Sequence, residues 1–553
     1  MKTKLMKTKY IWLSIILLGF TACNDIEDID RIDPVAELPE LTAGTANFSN
    51  YVSIGASFTA GFTDSALFKA SQENSFPNIL SKQFAKLGGG TFTQPLMNDN
   101  IGGIALGGVQ LPGSTVGPRL VFGGAGPVPL ASIIGPVVST TDLAVNNLKG
   151  PFNNMGVPGA KSYHLLFNGY GNIANLATKK ANPYFIRMAS SASATMLGDA
   201  MAKSPTFFTL SEIGGNDVLG YALSGGDGTD AITPSAGAVG VGFDATFGYL
   251  VTTLTSGGAK GVVTNVPYIT DLPHFTTVPF KPLSPTNPSF GPLIPTLNGV
   301  FGQLNQVFDF LQVPDRKIVF STNAASAVVI KDETLTNLAA QITGVLRASP
   351  TFPAFVQSFG LPTDSGTLDK VAGLFGSFYG QARQAKATDL LLLPSSSVIG
   401  TVNTTVYAFL LTQGLPAGLA GQFSVEGITN PLEDKWVLIP SEQTAIKNAT
   451  DAYNTTISSI ANSNPNIALV DLNTILSSAK TNGIAFDQFV LKTNLATGGA
   501  IGLDGIHLTA RGYAYMANKF LEAIDAKFGS NFIASGNVAK AGDYPTNYSP
   551  TLN

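Results

Sequence analysis

Short apolar runs alternate with stretches of helical periodicity along most of the chain. Tyr51-Val52-Ser53-Ile54-Gly55 reads as a buried strand that ends in a turn. Phe76, Ile79, Leu80, Phe84 and Leu87 then recur at helical spacing, and Gly88-Gly89-Gly90 ends that helix. Thr206 to Ile213 is a second strand. Phe243, Phe247, Leu250, Val251 and Leu254 form one helix face, and Gly261 to Pro267 is a third strand. Ser441 is placed to cap a helix carrying Ile446, Tyr453, Ile457 and Ile460, with strand Ile467–Asp471 after it. The last helix runs from about Thr509, with Tyr513, Met516, Phe520 and Ile524 inward. Strands of this kind between amphipathic helices predict a parallel sheet covered on both faces.

Two stretches break the rhythm. Residues from about 88 to 150 are rich in Gly, Pro and aliphatics and nearly free of charge. Residues from about 275 to 435 hold proline clusters, a strand-like Lys317–Phe320, and helices near 335–347 and 367–386. Both read as insertions on an α/β core that spans 49–530, followed by an irregular tail over 531–553. The first insertion is either a wall or lid of a binding groove, or packing that only thickens the fold.

Charge and targeting sequence narrow the function. Charged residues make up 12% of the 553-residue chain, and its formal net charge is −4. Lys2, Lys4, Lys7 and Lys9 precede an apolar run from Tyr10 to Phe20, the form of an export signal over residues 1–22. Its removal takes the net charge from −4 to −8 and leaves no basic field for nucleic acid. Cys23, the sole cysteine, sits directly after this signal where it can accept a lipid, so no disulfide within the chain is possible. A lipid on Cys23 would tie the protein to a membrane, with the acidic, proline-bearing stretch 23–48 as a tether. The expected location is the cell envelope, on the outer membrane and its surface.

Three sequence features carry candidate chemistry. Ser57 lies in Gly55-Ala56-Ser57 directly after the first strand, at the carboxyl edge of the predicted sheet. A serine needs a base, and the base an orienting partner. Of the three histidines, His507 in Asp504-Gly505-Ile506-His507 has a carboxylate three residues before it, just ahead of the last helix. His274 and His164 read as packed or structural. Gly214-Gly215-Asn216-Asp217 and Asn154-Met155-Gly156-Val157-Pro158-Gly159 offer an amide side chain and bare backbone N–H groups to an oxyanion.

In their order along the chain, Gly55-Ala56-Ser57, Asn154 to Gly159, Gly214 to Asp217 and Asp504 to His507, the four motifs resemble the SGNH/GDSL hydrolase family. The resemblance covers about 49–87, 151–275 and 436–530, and its named positions fall on Ser57, Gly159, Asn216 and His507. Asn265-Val266-Pro267 also resembles a strand end common in that family. The resemblance implies a three-layer α/β/α sandwich around a five-stranded parallel sheet, here with two long insertions. It also implies hydrolysis through an acyl-serine intermediate, without metal or other cofactor. Ser57, Asp504 and His507 would be catalytic, and the Ser57 and Gly159 N–H groups with the Asn216 amide would form the oxyanion hole. Ala56 departs from the family, which has Asp there, so the bracing of the nucleophile turn is an open question. The low-charge insertions point to an apolar or lipidic ester. A carbohydrate O-deacetylase on the same fold, or a surface lipoprotein that only binds, are the alternatives.

Overall fold

The computed structural model describes residues 37–145 and 147–552. The signal, Cys23 and the tether as far as residue 36 lie outside the described residues. Five strands form one all-parallel sheet: β1 (Tyr51–Gly55), β2 (Asn154–Gly156), β3 (Phe207–Ser211), β4 (Lys260–Thr264) and β5 (Ile467–Val470). Their order across the sheet is β5-β4-β3-β1-β2, with Ser53 opposite Asn154 on one side and Thr209 on the other. β1, β3 and four of the five residues of β4 are buried throughout, which explains their continuous apolar runs. β2 is a three-residue edge strand in a motif that reads as a loop from sequence, because so short an element shows no periodicity.

Helices pack on this sheet in an arrangement that fits a three-layer sandwich. They are α1 (Phe76–Phe84), α2 (Gly215–Leu223), α3 (Phe243–Thr255), α4 (Pro440–Ser463), α5 (Leu472–Thr481) and α6 (Ala510–Phe528). α1 and α6 meet through stacked Phe76 and Phe520, and Phe207 of β3 reaches Phe84 and Phe528. α3 and α4 meet through stacked Phe243 and Tyr453, with ring centroids 4.1 Å apart. Thr509 caps α6, accepting from the Gly512 N–H. α4 begins differently from expectation. Pro440 is its first residue, the Glu442 carboxylate accepts from the Ile439 N–H at 2.8 Å, and Ser441 lies inside the first turn.

Between β4 and α4 the chain builds a second hydrophobic cluster, around Phe301, Phe308, Ile330, Phe352 and Tyr379. Lys317–Phe320 is extended but pairs with no strand. The amides of Asn298 and Asn305, seven residues apart on helix Ile294–Phe310, bond the N–H and C=O of Phe320 and Ile318 at 2.8–2.9 Å. Side chains of one helix thus take the place of a neighbouring strand. The other expected helices run over Ala339–Ala348 and Ser365–Tyr379, and Ala382–Gln384 turns back as a strand against Val329–Lys331.

Residues 45–48 and the segment after α6 are more tightly held than a tether and a tail. The Thr45 N–H donates to Phe528 at 2.8 Å, and Phe48 is buried against Phe84 with ring centroids 4.1 Å apart. The expected tether therefore ends before residue 48, because its last residues are apolar enough to join the core. Phe532 and Ala541 are fully buried, and Arg119 donates to the Ser549 carbonyl at 2.6 Å. Among the described residues no helix is long and apolar enough to cross a membrane.

Candidate active site

The strand order reverses at β1, which has β2 on one side and β3 on the other. Crevices open at such a switch point, beyond the carboxyl ends of the strands. The segments that leave β1, β2 and β3 there carry Ser57, Gly159 and Asn216.

Ser57 is the first residue of a single helical turn, Ser57–Ala60, and is 7% exposed. That turn lies directly on β2. A Cβ at Gly156 would come within 2.3 Å of the Ala60 nitrogen, so only glycine permits the approach. The turn is braced by a residue that sequence reading did not single out. Glu212 follows β3 in a left-handed conformation (φ 51°), buried, with its carboxylate under the turn. Its Oε1 accepts from the Ala56 N–H at 2.7 Å and the Thr59 N–H at 3.0 Å, and its Oε2 accepts from the Thr59 hydroxyl at 3.2 Å. Burial raises its pKa to about 7 against the hydrogen bonds that oppose this. Glu212 thereby supplies, from another strand, a carboxylate at the turn where Ala56 has none.

The loop before α6 holds Asp504 and His507. His507 Nδ1 lies 2.8 Å from Asp504 Oδ2. Asp504 also accepts from the backbone N–H groups of Ser65, Ile506 and His507, each at 2.9 Å. Burial alone would raise the Asp504 pKa, but the His507 charge and these hydrogen bonds hold it well below the usual carboxylate range. With Nδ1 engaged, Nε2 is the nitrogen left for proton transfer. The imidazole packs on Phe62 and Phe58, at 4.6 and 5.9 Å between centroids, and Phe58 directly follows Ser57. The Ser57 hydroxyl and the imidazole make no hydrogen bond to each other among the described residues, a loose geometry that free sites commonly show before substrate binds.

Behind this loop, Asp64 accepts from the Leu503 N–H at 2.8 Å, and burial raises its pKa to about 7. His274 is buried and packs against the same loop, with its N–H bonded to the Gly505 carbonyl. Burial lowers its pKa. His164 stacks on Tyr170 and accepts from the Lys161 N–H at 3.0 Å, and burial lowers its pKa to about 4. Both are packing residues.

The oxyanion candidates lie side by side. The Asn216 amide donates to the Ala160 carbonyl at 3.0 Å, which ties it to the residue after Gly159. Asp217 fixes the same loop by accepting from the Ser162 N–H at 2.9 Å and the Ser162 hydroxyl at 2.6 Å. Gly159 has φ +79°, and a Cβ there would meet only the Asn182 amide, at 3.9 Å. Gly156 and Gly159 are therefore distinct: Gly156 makes room for the nucleophile turn, and Gly159 turns the loop. Asn265 bonds Asp471 and the Asn473 N–H, a brace between β4 and α5.

Ser57, Glu212 and Asn216 line a cleft that is partly open to solvent. The rest of its described lining is almost wholly apolar and comes from Phe58, α2, 267–272, α5, the hairpin Ile484–Leu491, the segment 493–508 and α6. Among the described residues, none of 88–150 or 275–435 lines this cleft. Part of their apolar surface packs, as in the second cluster, while Val109, Ile133 and Phe310 are among those left exposed. Glu333, Asp434 and Glu442 bring one oxygen each within 4.8 Å of one another, and none of them lines the cleft.

Comparison of the chain with protein-family models, curated proteins and solved structures finds no match.

Proposed function

We propose that this protein is a serine ester hydrolase of SGNH/GDSL type, which cleaves carboxylic esters through an acyl-serine intermediate. The observation that carries the reading is the buried Asp504–His507 pair, 2.8 Å apart, with the imidazole packed on Phe58 of the turn that bears Ser57 and on Phe62 just after it. Ser57 Oγ attacks the ester carbonyl carbon while His507 Nε2 takes its proton. Asp504 holds the imidazole in the required tautomer and offsets its positive charge. The oxyanion is received by the Ser57 and Gly159 N–H groups and the Asn216 amide. As the intermediate collapses, His507 returns the proton to the leaving alcohol. Water then attacks the acyl-serine by the same route.

The apolar cleft beside Ser57 favours an apolar acyl substrate over a sugar face, and the site needs no metal or cofactor. The lysine-led signal and Cys23 support export and a lipid anchor on the cell envelope. The test of the hydrolase reading is Ser57→Ala against a short-chain chromogenic ester. Loss of turnover on the order of 10⁴-fold or more is expected. Turnover like that of the unmodified protein would remove the reading.

A further inference from the structure

Resting on that reading, we propose that the acyl chain lies in the apolar cleft between α5 and α6, and that the enzyme selects esters of unbranched, medium-length fatty acids. Leu472, Ile475, Leu476 and Ala479 all face the cleft. They stand at i, i+3, i+4 and i+7 of α5, one straight stripe of about 10 Å at 1.5 Å rise per residue. Gly512, Tyr515 and Met516 make the matching stripe on α6. Gly512 is glycine for packing: a Cβ there would meet the Ala500 carbonyl oxygen at 2.4 Å. The two apolar stripes face one space, and the α5 stripe has the length of an extended alkyl chain of medium size.

Besides Ser57, Asn216 and Glu212, the polar side chains among the described lining residues are those of Thr493 and Tyr515. The one charged residue of that lining, Glu212, sits beside Ser57 at the reacting end. A sugar or charged acyl group would have to shed water along α5 with almost no hydrogen-bond partner, which costs several kcal/mol per group. A methylene chain gains from the same desolvation.

The far end sets the length. Ile475, Ile484 and Tyr515 line both the cleft and a second, solvent-facing groove on their other side, so they form the wall between the two. A blind end suits the acyl half of the ester. In a two-step mechanism the alcohol leaves first, whereas the acyl group stays on Ser57 until water removes it.

The experiment compares kcat/KM for p-nitrophenyl acetate, butyrate, octanoate and hexadecanoate, using the full chain. The expected rise from acetate to octanoate is on the order of a hundredfold, within the ceiling of about fourfold per methylene set by burial. The rate should fall again at hexadecanoate. Leu476→Trp fills the slot and should cut the octanoate-to-acetate ratio at least tenfold. Joint replacement of Ile475 and Ile484 by Ala should move the optimum to longer chains. A profile indifferent to acyl length, or a Leu476→Trp variant with an unaltered ratio and an unaltered melting curve, overturns the proposal.

Binding separates this proposal from the hydrolase reading. Equilibrium dialysis of radiolabelled 1-dodecanol with Ser57→Ala should show saturable binding that Leu476→Trp weakens at least tenfold. Such binding without turnover of any ester would keep the cleft and sink the hydrolase reading. No saturable binding would overturn the cleft, whatever the esterase result.

Discussion

The Ala56 N–H donates to the Glu212 carboxylate at 2.7 Å, which joins the residue before Ser57 to the end of a neighbouring strand. The Ser57 turn therefore keeps an acidic brace although Ala56 carries none. The two residues are 156 positions apart in sequence and meet because β1 and β3 pair directly.

Replacement of Glu212 separates its charge from its hydrogen bonds. In Glu212→Gln, the amide oxygen can still accept from Ala56 and Thr59, and the nitrogen can donate to the Thr59 hydroxyl. Turnover within about tenfold of the unmodified protein is expected. Glu212→Ala strands the two N–H groups, at about 1–3 kcal/mol each, and a much larger loss of kcat is expected. Equal activity of the Ala and Gln variants would show that the brace has no role in turnover.

The same residue gives a pH signature in stability. Its folded pKa is raised, so its stabilising share is complete below the ordinary glutamate range and is lost as pH rises through about 7. Over that window Glu212→Gln should gain on the unmodified protein by roughly 3 kcal/mol. Chemical denaturation at the two ends of the window measures this difference. A constant difference across the window would contradict the buried, titrating carboxylate.

Asp504 has the opposite sign. Its pKa is depressed by His507 and by backbone donors, so its stabilising share is complete above the ordinary aspartate range and lost on acidification. Asp504→Asn should therefore lose stability near neutral pH and converge with the unmodified protein in acid. Its kcat should fall on the order of 10⁴-fold, since the amide no longer fixes the imidazole tautomer. A loss of kcat below tenfold would argue against the pair as the proton-transfer unit.

Gly156 and Gly159 should part company. Gly156→Ala drives a methyl into the Ala60 backbone and should lower the melting temperature sharply. Gly159→Ala has room for its methyl but strains a positive φ, at about 1–2 kcal/mol, and should act mainly on kcat. Asn216→Ala should cost about 10²–10³ in kcat with little change in KM. Parallel melting curves and steady-state kinetics distinguish these outcomes.

Much of this arrangement is legible in the chain because the central strands are buried on both faces. Val52, Ile54, Phe207–Leu210 and Val262–Val263 leave continuous apolar runs, and helix faces such as Phe243 to Leu254 keep their period. Asp504 and His507 are legible because both lie on one loop, three residues apart. Glu212 is not, because its partners are brought to it only by strand pairing. The cleft is hidden for another reason. Leu472, Ile475, Leu476 and Ala479 repeat as any core-facing stripe does, and nothing local marks that this one borders open space. The apolar segment 88–150 looks like a better groove wall, yet none of its described residues lines the cleft.

Covalent labelling tests the central claim most directly. The protein is treated with an alkyl fluorophosphonate, and the adduct is mapped by tandem mass spectrometry alongside residual turnover of p-nitrophenyl butyrate. One adduct per chain on Ser57, formed in step with loss of turnover and strongly slowed in His507→Ala, is the predicted result. Full turnover by protein whose Ser57 is labelled, or inactivation with the adduct on another residue, would contradict it.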